Sequence, residues 1–206
     1  MKKLFTETAP LYLLTGTHTG LTHTQITRQA LSAGIKVIQL REKNMSKKDI
    51  YKTALAMRAL TTEHKAALII NDHIDIALAV NADGVHLGQE DMPLIEARRL
   101  MGRKKIIGVS THTLAQAQKA EDEGADYIGF GPVFHTGTKD AGRPRGLKAL
   151  QKVREHISIP IVAIGGITSG NIREVLMSGA DAAAIISGIL KGDIRRNTKN
   201  YLSALG

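Results

Sequence analysis

The sequence predicts an α/β fold, a single-domain (β/α)8 TIM barrel over residues 1–206, on three observations. Short β-like apolar runs alternate with amphipathic stretches from end to end. One Gly/Asn signature recurs where the helical stretches stop. No Ser/Gly/Pro-rich linker or low-complexity tract divides the chain. Strands alternating with helices imply βαβ units and a parallel sheet, and eight of each point to a closed barrel. A doubly wound open sheet is the competing arrangement.

The first strand is placed at 11–15, on Leu11-Tyr12-Leu13-Leu14, and the first helix at 24–33. Strand two (37–40) precedes a helix at 47–63, the longest periodic stretch. The run Ala66-Ala67-Leu68-Ile69-Ile70 marks strand three at 67–71, with a helix at 74–80, and Gly84-Val85-His86-Leu87 marks strand four, with a helix at 93–101. Strands five and six fall at 106–109 and 127–130, separated by a helix at 114–123. Helices at 147–155 and 170–178 flank strand seven at 161–164. Strand eight is placed at 183–186, with one last helix near the C-terminus. The junctions Ala33-Gly34, Asn81-Ala82-Asp83-Gly84, Glu123-Gly124-Ala125-Asp126 and Ser178-Gly179-Ala180-Asp181 set Gly or Asn where a helix closes in the left-handed conformation. These turns belong to the bottom of the barrel and serve stability.

Composition narrows the function. At 206 residues the chain is long enough to bury roughly 70% of its unfolded surface. There is no cysteine, which excludes disulfides, thiolate metal sites and a Cys nucleophile. Neither a signal-peptide core after Met1-Lys2-Lys3 nor an apolar run near the roughly 18 residues of a membrane span is found, so a cytoplasmic protein is expected. The net charge of +9, from 28 basic and 19 acidic residues, suits anionic partners or a plain solvated surface. With aromatics at 3% and no Trp, stacking platforms for nucleic acid are not expected, which leaves anionic metabolites as partners and the oligomeric state open.

In such a barrel the chemistry lies in the loops after the strand C-termini. Alternation along strand two turns Gln39, Arg41 and Lys43 toward one face, a set costly to bury unless it meets an anion. Ile70-Asn71-Asp72 and Gly88-Gln89-Glu90-Asp91 each deliver a carboxylate past a strand end. Asp72 and Asp91 on adjacent strands suit Mg2+, which takes few protein oxygens and leaves positions for substrate phosphate. Helix capping competes for Asp91, which precedes Met92-Pro93, and for Ser110-Thr111-His112-Thr113 after strand five. After strand six, the loop Gly131 to Gly146, with Thr136, Thr138 and Lys139, has the composition of a lid over phosphate. Gly165-Gly166 and Ile186-Ser187 open the turns after strands seven and eight, where backbone amides commonly hold phosphate, and Gly166 permits close approach. One mouth with two anion sites suits joining a diphosphate to a monophosphate.

The ordered pieces Gln39-Leu40-Arg41-Glu42-Lys43, Ile70-Asn71-Asp72, Asp83 through Asp91, Gly108-Val109-Ser110, Gly131-Pro132-Val133-Phe134, Thr136-Gly137-Thr138-Lys139, Ala163 through Ile167 and Ile186-Ser187 resemble the thiamine phosphate synthase family. The resemblance implies coupling of hydroxymethylpyrimidine diphosphate to a thiazole phosphate, with Mg2+, giving thiamine phosphate and pyrophosphate. It implies that Gln39, Arg41, Lys43, Asn71, Ser110 and Lys139 hold the pyrimidine diphosphate, with Arg41, Lys139 and Ser110 catalytic. It further implies Asp72 and Asp91 as magnesium ligands. Thr136, Thr138 and the amides of Gly166, Ile186 and Ser187 would then hold the thiazole phosphate. His73, His135 and the Thr15-Gly16-Thr17-His18 turn depart from the family pattern. A sister family of thiazole tautomerases, which relies on a catalytic His, is the nearest rival, with His135 and His112 as the available substitutes; such sisters tend to lose the metal acids. A generic phosphate-binding isomerase barrel and a non-catalytic binding protein complete the alternatives.

Overall fold

In the computed structural model, which describes residues 4–5, 10–16, 20–137 and 142–206, eight parallel strands close into a barrel in sequence order. They are β1 (Leu11–Leu14), β2 (Val37–Leu40), β3 (Ala67–Asn71), β4 (Gly84–Leu87), β5 (Ile106–Thr111), β6 (Tyr127–Phe130), β7 (Ile161–Ile164) and β8 (Ala182–Ile185). Closure is carried by β1, where Tyr12 sits opposite Val37 of β2 and Ala184 of β8. The helices between strands are α1 (His23–Ser32), α2 (Lys47–Glu63), α3 (Ile74–Ala79), α4 (Leu94–Met101), α5 (Leu114–Asp122), α6 (Gly146–Arg154) and α7 (Ile172–Met177). Two further helices, α8 (Ser187–Leu190) and α9 (Ile194–Ser203), follow β8 where one was expected. Gly192 at φ 88° separates them, and Asp193 starts α9 by accepting the amide of Arg196 at 2.9 Å.

Three strands differ from expectation at their ends, β1 stopping at Leu14 rather than at residue 15. β5 continues to Thr111 because Ser110 and Thr111 still pair with Gly129 and Phe130 of β6. β8 begins and ends one residue early, so Ile186 becomes the residue preceding α8.

Alternation along the strands builds two cores. Residues such as Leu11, Leu13, Ile38, Leu68, Ile70, Val85 and Ile128 point outward and pack under the helices. Tyr12, Leu14, Val37, Ile69, Tyr127, Val162, Ala182 and Ala184 point inward, with Phe5 packed among them. Phe5 meets the Tyr127 ring edge-on at 5.4 Å and the Tyr12 ring at 5.8 Å. Each of the larger side chains contributes about 1.5–3 kcal/mol by leaving water.

The bottom of the barrel uses one device three times. Asp83 accepts the Leu68 amide at 2.8 Å and the Arg58 guanidinium at 2.6 Å. Asp126 does the same for Ile107 and Arg98, at 2.8 and 2.5 Å, and Asp181 for Ile161 and Arg154, at 2.8 and 3.0 Å. Each Asp precedes an even-numbered strand and satisfies an amide in the first two residues of the strand before it, an amide that would otherwise lack a partner. The turns leading into these three aspartates hold Asn81, Gly124 and Gly179 at φ 52°, 89° and 105°, the left-handed closures that the sequence pattern predicts.

Candidate active site at the barrel mouth

A cavity of about 480 Å³ opens over the C-terminal ends of the strands. Its wall from β2, β3 and β5 carries Gln39, Arg41, Lys43, Asn71 and Ser110, all five expected from sequence. The facing wall carries Thr136, Gly166, Ile186 and Ser187, together with His112 and His135. Thr138 and Lys139 lie outside the described residues.

Capping claims Thr113 but neither Ser110 nor Asp91. The N-cap of α5 is Thr113, whose hydroxyl accepts the Gln116 amide at 3.2 Å, so Ser110 is left facing the cavity. The N-cap of α4 is Pro93, with no side-chain bond, and Asp91 instead turns back to accept the Gly88 amide at 2.6 Å. Asp72 has a left-handed backbone (φ 61°), and its amide is held by the His86 carbonyl at 2.9 Å.

Asp72 and Asp91 are not among the cavity-lining residues; Asp72 directly follows Asn71, which is, and Asp91 lies close to Asp72. Burial, and then a hydrogen bond and charge repulsion from Asp91, push Asp72 up to about 7, against the pull of Arg41 and Lys43. Two crowded carboxyl groups that resist joint ionisation fit a divalent cation, which would relieve the repulsion. Among the described residues no group of three or more His, Asp or Glu side chains gathers for a metal, so the protein donors would be these two hard oxygen groups. That donor set suits Mg2+, which keeps waters and takes substrate phosphates.

Beneath the mouth runs a polar column that the sequence did not reveal. Gln39 Nε2 donates to the Tyr12 hydroxyl at 2.7 Å, which lies 3.0 Å from the Tyr127 hydroxyl. Tyr127 lies 2.9 Å from His86 Nδ1, and His86 Nε2 lies 2.9 Å from Ser110 Oγ. Five strands supply it. Burial pushes His86 down to about 4, with Asp91 and Arg41 acting in opposite directions, so its ring is neutral at pH 7. Glycines make the room: a Cβ on Gly108 would sit 2.1 Å from Tyr127 Cζ, and one on Gly129 would sit 3.1 Å from His86 Cε1.

A second buried cluster holds the loop after β2. His23 and Glu42 are almost wholly enclosed and meet at 3.0 Å, while His23 Nδ1 lies 2.8 Å from Thr15 Oγ1. Glu42 also accepts the amides of Lys43 and Asn44, both at 2.7 Å. Burial raises the Glu42 carboxyl, but the Asn44 amide, His23 and the Lys43 amide outweigh it and hold it below its ordinary value. Alternation sends Glu42 outward while Arg41 and Lys43 face the cavity, so this cluster anchors the loop from behind.

The loop after β6 is fastened to the end of β7. Val133 and Phe134 donate to Ile164 and Gly165 at 2.8 and 3.0 Å. A Cβ on Gly166 (φ 66°) would meet the His135 carbonyl at 2.5 Å, so the close approach this glycine permits includes the protein's own loop. His112 Nδ1 lies 2.7 Å from the Gly131 carbonyl, to which it donates.

A family model described as "Thiamine monophosphate synthase" matches residues 11–189. The chain is 45% identical over 199 residues to a thiamine-phosphate synthase of Shouchella clausii, covering 95% of each. It is 47% identical to one of Chloroflexus aurantiacus, covering 95% of this chain and 91% of the other. Among solved structures, a thiamine phosphate pyrophosphorylase from Pyrococcus furiosus superposes with a TM-score of 0.89 at 40% identity, covering 97% and 96% of the two chains.

Proposed function

The chain belongs to the thiamine monophosphate synthase family, and on that premise we propose that it couples 4-amino-2-methyl-5-hydroxymethylpyrimidine diphosphate to thiazole phosphate. The products are thiamine phosphate and pyrophosphate. The C–O bond to the diphosphate breaks with its electron pair leaving on pyrophosphate, and the thiazole nitrogen supplies the pair for the new C–N bond. A pyrimidinylmethyl cation lies between the two steps.

What supports this reading most is the two-walled cavity, with Gln39, Arg41, Lys43, Asn71 and Ser110 on one wall facing Thr136, Gly166, Ile186 and Ser187 on the other. Arg41 and Lys43 hold the departing diphosphate and gain strength as charge builds on it; Lys139 joins them in this proposal. Asp72 and Asp91 would hold Mg2+, which supplies further charge neutralisation at the diphosphate. Thr136, Thr138 and the amides of Gly166, Ile186 and Ser187 hold the thiazole phosphate. Exclusion of water from the mouth once both substrates fill it would protect the cation from capture.

Incubation of the purified chain with both phosphorylated substrates and Mg2+ tests the proposal, with thiamine phosphate and pyrophosphate expected in equal amounts. Absence of both products with intact substrates would overturn it.

A further inference from the structure

We propose that Gln39, Tyr12, Tyr127 and His86 form a one-way hydrogen-bond relay that sets Ser110 as a donor into the cavity. The relay fixes His86 as its Nε2–H tautomer, so Ser110 Oγ accepts from the ring and its own proton points outward, toward an anionic oxygen.

The direction follows from counting protons along the column. Gln39 Nε2 can only donate, so the Tyr12 oxygen accepts at 2.7 Å. The Tyr12 proton then goes to Tyr127, 3.0 Å away. Tyr127 is left to donate its own proton to His86 Nδ1 at 2.9 Å. A neutral imidazole carries one N–H, which must therefore sit on Nε2 and point to Ser110 Oγ, 2.9 Å away.

Running the column backwards requires the Gln39 amide to be turned over. Its nitrogen would then lie buried with no acceptor. As found, Gln39 Oε1 is the one atom of the column without a partner, and an unsatisfied oxygen is the lesser fault. Tyr12, Tyr127 and Gln39 are each about 1% exposed, which shields the bonds among them from water, while His86 and Ser110 are half-buried at the cavity they line. The polarity matters for substrate class. A donating Ser110 reads a phosphate oxygen, whereas an accepting one would read an amine.

That Ser110 meets the pyrimidine diphosphate rests on the coupling reading above; the tautomer does not. The test begins with long-range ¹H–¹⁵N correlation of the ¹⁵N-labelled wild-type protein at pH 7, the His86 signal being the one lost in His86→Gln. Protonated Nε2 and bare Nδ1 are expected. The opposite tautomer would overturn the relay, and this measurement needs no variant to fold. In Tyr127→Phe the ring should become a mixture of tautomers, and KM for the diphosphate substrate should rise roughly twofold as the competent fraction falls to about half. In a Ser110→Ala background the same change should add nothing, because Tyr127 acts only through Ser110. An undiminished effect there would also overturn the relay. If the tautomer is as expected but the wild type forms no thiamine phosphate, the relay stands and the coupling reading falls.

Discussion

Asp72 and Asp91 stand close enough to share a hydrogen bond, and burial with that neighbour lifts Asp72 to about 7. In the proposed metal site these two carboxyl groups would exchange the proton of that bond for a cation. Asp72→Ala and Asp91→Ala should each cut Mg2+-dependent turnover by roughly a hundredfold or more, since several kcal/mol of charge stabilisation goes with the ion. Thermal melting should stay close to wild type, both residues lying at the mouth. Turnover of the wild type after complete chelation would defeat the assignment.

Arg41 lines the cavity, and a guanidinium offers phosphate oxygens a rigid fork of N–H donors. Arg41→Ala should lower kcat by about 10²-fold or more, the cost of removing one aligned donor from a developing anion. His112→Ala and His135→Ala should each retain much of the activity. Steady-state kinetics on the three variants decides it. The reverse ranking would favour proton transfer on the thiazole by one of the histidines.

The aspartate device at the barrel bottom should act on stability alone. Asp126→Ala strands the Ile107 amide and removes the ion pair to Arg98, which keeps its carbonyl acceptors on Gly102, Lys105 and Gly124, and should cost about 1–3 kcal/mol in urea unfolding with kcat unchanged. Glu96→Ala, which removes only an exposed pair with Arg99, should stay within about 0.5 kcal/mol. Equal costs for the two would reduce the device to ordinary surface pairing.

Glu42 offers a pH signature. Its folded carboxyl is held below its ordinary 4.5, so its contribution is fully present above pH 4.5 and is lost as the pH falls through the lower folded value. The stability gap between wild type and Glu42→Gln should therefore be widest near neutrality and shrink as the pH drops below about 4.5. Denaturant unfolding at several pH values checks this, and a gap independent of pH would refute it.

Much of the barrel was legible because strand and helix have different periods. Runs such as Ala66 to Ile70 and the long pattern of α2 leave little ambiguity. The four-residue α8 was missed because one turn displays no period. At the mouth, alternation along β2 correctly grouped Gln39, Arg41 and Lys43. The polar column stayed hidden because its members come from five strands and meet only on closure. A lone His86 in Gly84-Val85-His86-Leu87 says nothing about Tyr127. One signal was available: Gly108 and Gly129 stand inside strands, where a missing side chain marks a close approach.

The contact between Gly108 and the Tyr127 ring also has a hereditary consequence. An alanine at 108 would overlap the ring's far carbon at 2.1 Å, so position 108 is not free to drift while Tyr127 stays. A lineage that surrendered the aromatic ring at 127 would be released to place a side chain at 108. A side chain at 108 should therefore be found only where the ring at 127 has already gone, so the order in which two distant letters of this sequence can change is fixed.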